Sequence, residues 1–238
     1  HPERVGGLHF FNPVPLMRLV EVIPGLKTRP DVTEALMTIG RRMTREPVLC
    51  TDSPGFIVNH VGRAYVPEAA RLVAEGIAGF DDIDRIMTGA PGFRMGPFQL
   101  IDLTGADVSV PVMESIWGQF YGDPLYATQP LLKTRVDAGM FGQKTGAGWY
   151  AYKDGKRQDP PSRPVPVVAR QRPVWVRPSD HAPELSEAVS ALLAKSGVTV
   201  ETGTQPGADA VILLTPVGWD VTSAALDLKL DPARTIAV

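Results

Sequence analysis

The sequence predicts a mainly helical domain followed by a small α/β domain, and three observations carry that expectation. From residue 26 to about 150, apolar residues recur at near-helical spacing with little strand character. Six prolines then crowd residues 158–178, at 160, 161, 164, 166, 173 and 178. Beyond them short β-rich runs alternate with helical segments, the pattern of a small parallel sheet.

The elements follow in order. "GLHFF" (7–11) and "RLVEVI" (18–23) read as two extended runs, broken apart by Asn12, Pro13 and Pro15. Asp31 starts a helix with Glu34 three residues later, a capping-box-like opening, and Arg41, Arg42 and Arg45 lie toward its C-terminal end. "PVLC" (47–50) is expected to be a short buried strand, "TDSPGF" a turn, and 55–75 one long helix. Asp81 is expected to cap the next helix, and the segments up to about 137 pack as a helical bundle. "GQKTGAGWY" (142–150) is a glycine-rich loop entering an aromatic segment. After a stiff proline-rich linker come strands near 173–177, 198–202, 209–215 and at the end, with helices over 182–196 and near 219–227. The implied organisation is 1–24, 25–157, a linker over 158–172, and 173–238. The chain opens on His1 rather than methionine and stops at Val238 inside a strand-like run, so it is expected to be a piece of something longer.

Composition narrows the function. With 44% hydrophobic and 21% charged residues in 238, the chain can bury a core without disulfides or metal, which excludes a disordered or collagen-like chain. A net charge of −2, from 24 basic and 26 acidic residues, provides no bulk field for nucleic acid or an anionic membrane. The single cysteine, Cys50, excludes an intrachain disulfide framework and suits a reducing, cytoplasmic compartment. No apolar run approaches the about 20 residues that span a bilayer.

Few residues could do chemistry. His9 sits in an apolar run, where a histidine is often structural. Glu21 is the only carboxylate in "RLVEVI", and a buried carboxylate is costly without a partner. A hairpin-like return would bring Glu21 to His9, fixing the tautomer and leaving the other ring nitrogen as a base; a purely structural ion pair is the alternative. Asn59 is either a local cap or a ligand contact, and Asn12 either a turn former or a contact. The glycine-rich loop has no phosphate-loop spacing, no G-x-G-x-x-G follows a strand, and no histidine or cysteine has metal spacing.

Together "GLHFFNPVPLMRLVEVI", "DSPGFIVN", "RMGPFQLIDLTGAD" and "GQKTGAGWYAY" resemble the (S)-3-hydroxyacyl-CoA dehydrogenase family, in particular its bacterial 3-hydroxybutyryl-CoA dehydrogenases. The resemblance covers residues 1–152, with four motifs in order. It implies His9 as the general base, Glu21 as the residue orienting it, Asn59 as a substrate contact, and Asn12 and Lys144 as cofactor contacts; the first lysine of the family's "GKKTG"-like loop is Gln143 here. It further implies a helical domain like the C-terminal domain of 6-phosphogluconate dehydrogenase, an acyl-CoA substrate, NAD or NADP as cofactor, a homodimer, and a truncated Rossmann-like domain after residue 168. The family's glycine-rich cofactor turn and a catalytic serine would lie ahead of His1, so the chain alone is expected to be inactive. A sugar-acid dehydrogenase relative and a non-catalytic dimerisation module are the competing readings.

Overall fold

Strand β1 (Gly6–Phe10) turns back as β2 (Leu19–Pro24), antiparallel and in a register that sets His9 opposite Glu21. Helix α1 (Pro30–Arg42) packs on this pair, and β3 (Glu46–Leu49) adds parallel to β2 to give the order β1-β2-β3. In this computed structural model residues 1–62, 65–161 and 172–238 are described. Val20, Glu21, Val22 and Ile23 of the middle strand are buried.

Two local expectations change here. Helix α1 begins at Pro30, where the missing N–H costs nothing, and its N-cap is Arg29; no capping box forms. Asp31 accepts instead from the Arg29 guanidinium. Strand β3 is not buried: it is the sheet's edge, and Val48 and Leu49 are exposed because β2 covers only one side of it.

The turn after Cys50 carries Gly55 at φ 80° and Phe56 at φ 48°, and the helix expected from residue 55 starts only at α2 (Val58–Gly62). Residues 63 and 64 lie outside the described residues, so the continuity of the expected helix does too; α3 (Val66–Ala74) follows. Next is α4 (Phe80–Gly89), whose N-cap is Gly79: Asp81 sits inside the first turn, favouring the dipole without capping. Then come α5 (Pro97–Thr104), α6 (Ala106–Gln119) and α7 (Pro130–Asp137), the helical bundle expected. Phe98, Ile101, Val110 and Leu132 are buried at its centre with Trp149 and Tyr150.

Two buried aspartates tie this bundle together. Asp84 of α4 accepts from Phe98 N, Gln99 N and Tyr150 Oη, so a neighbouring helix caps α5. Asp102 of α5 accepts from Trp149 N, Tyr150 N and Tyr152 Oη, fastening the glycine-rich loop. That contact explains the glycines: a Cβ on Gly148 would lie 2.2 Å from Asp102 Oδ1, and one on Gly142 2.2 Å from the Asp102 carbonyl. Burial pushes both carboxyls above the usual carboxylate range, against the pull of these hydrogen bonds. The hairpin β4 (Ala151–Lys153) and β5 (Lys156–Gln158) follows the loop.

The chain divides into two compact units, His1–Ser162 and Arg163–Val238. Most of the expected linker, residues 162–171, lies outside the described residues. In the second unit β6 (Val174–Val176), α8 (Pro183–Lys195), β7 (Val200–Glu201), β8 (Val211–Leu214), α9 (Val221–Asp227) and β9 (Thr235–Ala237) alternate as expected. All four strands are parallel, in the order β7-β6-β8-β9. Trp175, Ala210, Ile212, Leu214, Ala224 and Ala225 form the unit's core.

Candidate active site

The sheet register carries the site. With His9 directly across from Glu21, His9 Nδ1 lies 2.7 Å from Glu21 Oε2. The carboxylate is fully buried, whereas the imidazole is 32% exposed. A carboxylate only accepts, so Nδ1 carries the proton in this bond and Nε2 is left with a lone pair or, when charged, a second proton. Among the described residues Nε2 has no hydrogen-bond partner. The ring meets Phe11 edge-on at 4.8 Å between centroids and Phe56 at a tilt at 5.4 Å.

The second oxygen of Glu21 does different work. Oε1 accepts from Ile57 N and Val58 N, both at 2.9 Å. These amides converge because Gly55 and Phe56 both take positive φ, which turns the chain just before α2. One carboxylate therefore orients His9 and anchors the turn that leads into Asn59. Sequence reasoning had no access to this second contact; the signal was "SPGF", a turn placed directly before an apolar run.

Asn59 is half-buried on α2 and lines a cavity of about 510 Å³. Asp52, Ser53 and Phe56 line it from the turn, and Ser115 and Gln119 from α6. Phe56 also packs on the His9 ring, so the cavity begins beside the dyad. The other two candidates lie apart in character. Asn12 is exposed in the loop after β1. Lys144 pairs with Asp107 at the start of α6, its ammonium 2.6 Å from Oδ2, and lies over the Phe141 ring. Cys50 is buried and donates toward the Val22 carbonyl; burial pushes its thiol up, with Glu21 and Asp52 adding to the effect.

An imidazole with one nitrogen locked on a buried carboxylate and the other unpartnered, packed on the Phe56 ring that lines the cavity, can take a proton from a hydroxyl and return it. An asparagine lining that cavity can hydrogen-bond a substrate oxygen. Among the described residues no group of three His, Cys, Asp or Glu side chains could hold a metal, and no helix is long and apolar enough to cross a membrane.

The chain is similar to known proteins over this region. Residues 1–53 match the family described as 3-hydroxyacyl-CoA dehydrogenase, NAD binding domain, and residues 55–152 the one described as 3-hydroxyacyl-CoA dehydrogenase, C-terminal domain. The chain is 41% identical over 153 residues to 3-hydroxyadipyl-CoA dehydrogenase of Escherichia coli, covering 64% of this chain and 32% of that protein. A crystal structure of (S)-3-hydroxybutyryl-CoA dehydrogenase from Ralstonia eutropha superposes with a TM-score of 0.61 at 38% identity, over 64% of this chain and 53% of that one. The 3-hydroxybutyryl-CoA dehydrogenase of Escherichia coli superposes over 99% of this chain and 52% of that one, with a TM-score of 0.64 at 27% identity. The chain thus spans about a third to a half of the length of these relatives. Over residues 1–53 and 55–152 it belongs to the 3-hydroxyacyl-CoA dehydrogenase family, whose cofactor is NAD.

Proposed function

We propose that this chain carries the acid–base dyad and the substrate cavity of an NAD-dependent 3-hydroxyacyl-CoA dehydrogenase, acting on 3-hydroxybutyryl-CoA. The observation that carries this is the His9–Glu21 bond beside the Asn59 cavity. The half-exposed imidazole and the adjoining cavity suit a substrate alcohol presented to a cofactor. Bound NAD supplies the acceptor for the hydride that leaves C3. His9 Nε2 takes the hydroxyl proton, and the buried Glu21 carboxylate stabilises the imidazolium that forms and prevents the ring from turning. Asn59 donates its amide N–H to a substrate oxygen. In the reverse direction the same Nε2–H returns the proton to the developing alkoxide. Asn12 would contact the nicotinamide side of bound NAD, and Lys144 would reach the cofactor on leaving Asp107.

In this reading residues 1–53 are the end of the NAD-binding domain, later than the boundary at residue 24 expected from sequence because α1 and β3 complete the β1-β2 sheet, and 55–157 form a helical substrate and dimerisation domain of the 6-phosphogluconate-dehydrogenase kind. Residues 158–172 form the linker, and 173–238 an α/β domain. Exposed Val58, Val61, Val108, Val112 and Trp117 supply the apolar surface for a homodimer. The reduced Cys50 suits the cytoplasm. The test is oxidation of (S)-3-hydroxybutyryl-CoA by the protein as its source produces it. Equimolar NADH and acetoacetyl-CoA are expected; no turnover of any 3-hydroxyacyl-CoA, or turnover of a sugar acid instead, would refute the proposal.

A further inference from the structure

The second unit contains a crevice that the dehydrogenase chemistry does not use. The connection β6–α8–β7 runs to one side of the sheet and β8–α9–β9 to the other, so the strand order reverses between β6 and β8. Adjacent parallel strands whose connections diverge leave a gap outside their carboxyl ends, which is where open α/β sheets hold ligands. A crevice of about 90 Å³ lies at that point. Leu214, Ala224 and Leu228 give it apolar surface. The loop after β6 contributes Arg177, Ser179, Asp180 and His181, and the loop after β8 contributes Thr215 and Trp219.

Two further observations point to an occupant. Thr215 is only 8% exposed, and its Oγ1 is buried without a hydrogen-bond partner among the described residues, a costly state for a hydroxyl. Trp219, by contrast, is 55% exposed at the crevice, an aromatic face open for stacking. The backbone at the start of α8 is already committed. Ala182 N donates to Ser179 Oγ, Ser179 N to Ser186 Oγ and Leu185 N to the Ala182 carbonyl, while Pro178 and Pro183 have no N–H. These amides are therefore not free to cradle a phosphate, which favours a side chain as the holder of an anion. Arg177 is placed for this, although it now donates to Asp180 at 2.7 Å and to the Pro178 carbonyl.

We infer that this crevice binds a nucleoside monophosphate, its base stacked on Trp219 and its phosphate taken by Arg177 in exchange for Asp180. Calorimetric titration of the full chain with AMP, adenosine and inorganic phosphate tests this. Saturable AMP binding is expected, tighter than adenosine and far tighter than phosphate. Trp219→Ala should weaken AMP and adenosine alike, by roughly 5- to 100-fold. Arg177→Gln should abolish the advantage of AMP over adenosine. Should that variant unfold, Asp180→Asn, which removes the competing carboxylate at an exposed position, should tighten AMP and leave adenosine unchanged. Absence of saturable AMP binding, phosphate binding as tightly as AMP, or binding indifferent to Trp219→Ala and Asp180→Asn in folded protein would overturn the inference.

Discussion

Replacing Glu21 by glutamine and by alanine separates its two tasks. In the native site Oε1 accepts from two backbone amides and Oε2 from His9 Nδ1. Glutamine keeps one oxygen. Two rigid backbone donors outbid one side chain for it, so its amide nitrogen must face His9. That nitrogen only donates, so Nδ1 becomes an acceptor and the ring proton moves to Nε2. Glu21→Gln should then cost about 1–3 kcal/mol of stability, three charge-assisted bonds becoming neutral ones while the buried charge is removed. Alanine removes every acceptor. Ile57 N and Val58 N lose their partner, at about 1 kcal/mol each because both donors are only part-buried, and the partly exposed His9 adds little because water can reach it. Two measurements on the folded chain check this. Nitrogen-15 spectra of histidine should show neutral His9 protonated on Nδ1 in the wild type and on Nε2 in Glu21→Gln. Amide exchange at Ile57 and Val58 should accelerate roughly 10- to 1000-fold in Glu21→Ala and little in Glu21→Gln. An unchanged tautomer in Glu21→Gln, or protected amides in Glu21→Ala, would refute the reasoning.

Asp102→Asn puts an amide nitrogen against one of the two backbone donors at Trp149 and Tyr150, and should destabilise the first unit by about 1–3 kcal/mol in urea unfolding. Asp84 is pushed up chiefly by burial, so the native state binds its proton more readily than the unfolded state. Its contribution is present below the ordinary carboxylate value and is lost as pH rises through the folded value. The stability difference between wild type and Asp84→Asn should therefore shift toward the wild type as pH falls through that window; a shift the other way would mean the hydrogen bonds outweigh burial. Lys144→Met breaks a partly exposed pair with Asp107 and should change stability by less than about 1 kcal/mol. If Lys144 reaches the cofactor, that variant raises the KM for NAD; an unchanged KM would restrict it to the ion pair.

Much of this was legible in the sequence because the signals were local. A lone carboxylate in "RLVEVI" facing a histidine across a proline-broken return predicted the dyad, and antiparallel pairing supplies the geometry. Alternating β and α runs predicted the parallel sheet of the second unit. The failures have two causes: some depended on a neighbour distant in sequence, and the caps turned on where each helix starts. Strand β3 reads as buried because its residues are apolar, yet burial depends on what lies across the edge. The caps assigned to Asp31 and Asp81 fail because each helix starts earlier, with Arg29 and Gly79 as the N-caps, while the cap of α5 comes from Asp84 on another helix, beyond local spacing. The joint hold of Glu21 on His9 and on the amides of Ile57 and Val58 spans 36 and 37 residues of chain, beyond any periodicity.

The most direct test of the central claim, that His9 is the acid–base group supported by Glu21, is steady-state turnover of (S)-3-hydroxybutyryl-CoA by the protein as its source produces it and by its His9→Gln variant. The account predicts a kcat lower by roughly 10²–10⁴-fold with KM nearly unchanged, because Nε2 acts on the proton in transit. A variant that keeps its kcat, or that loses only substrate affinity, would contradict it.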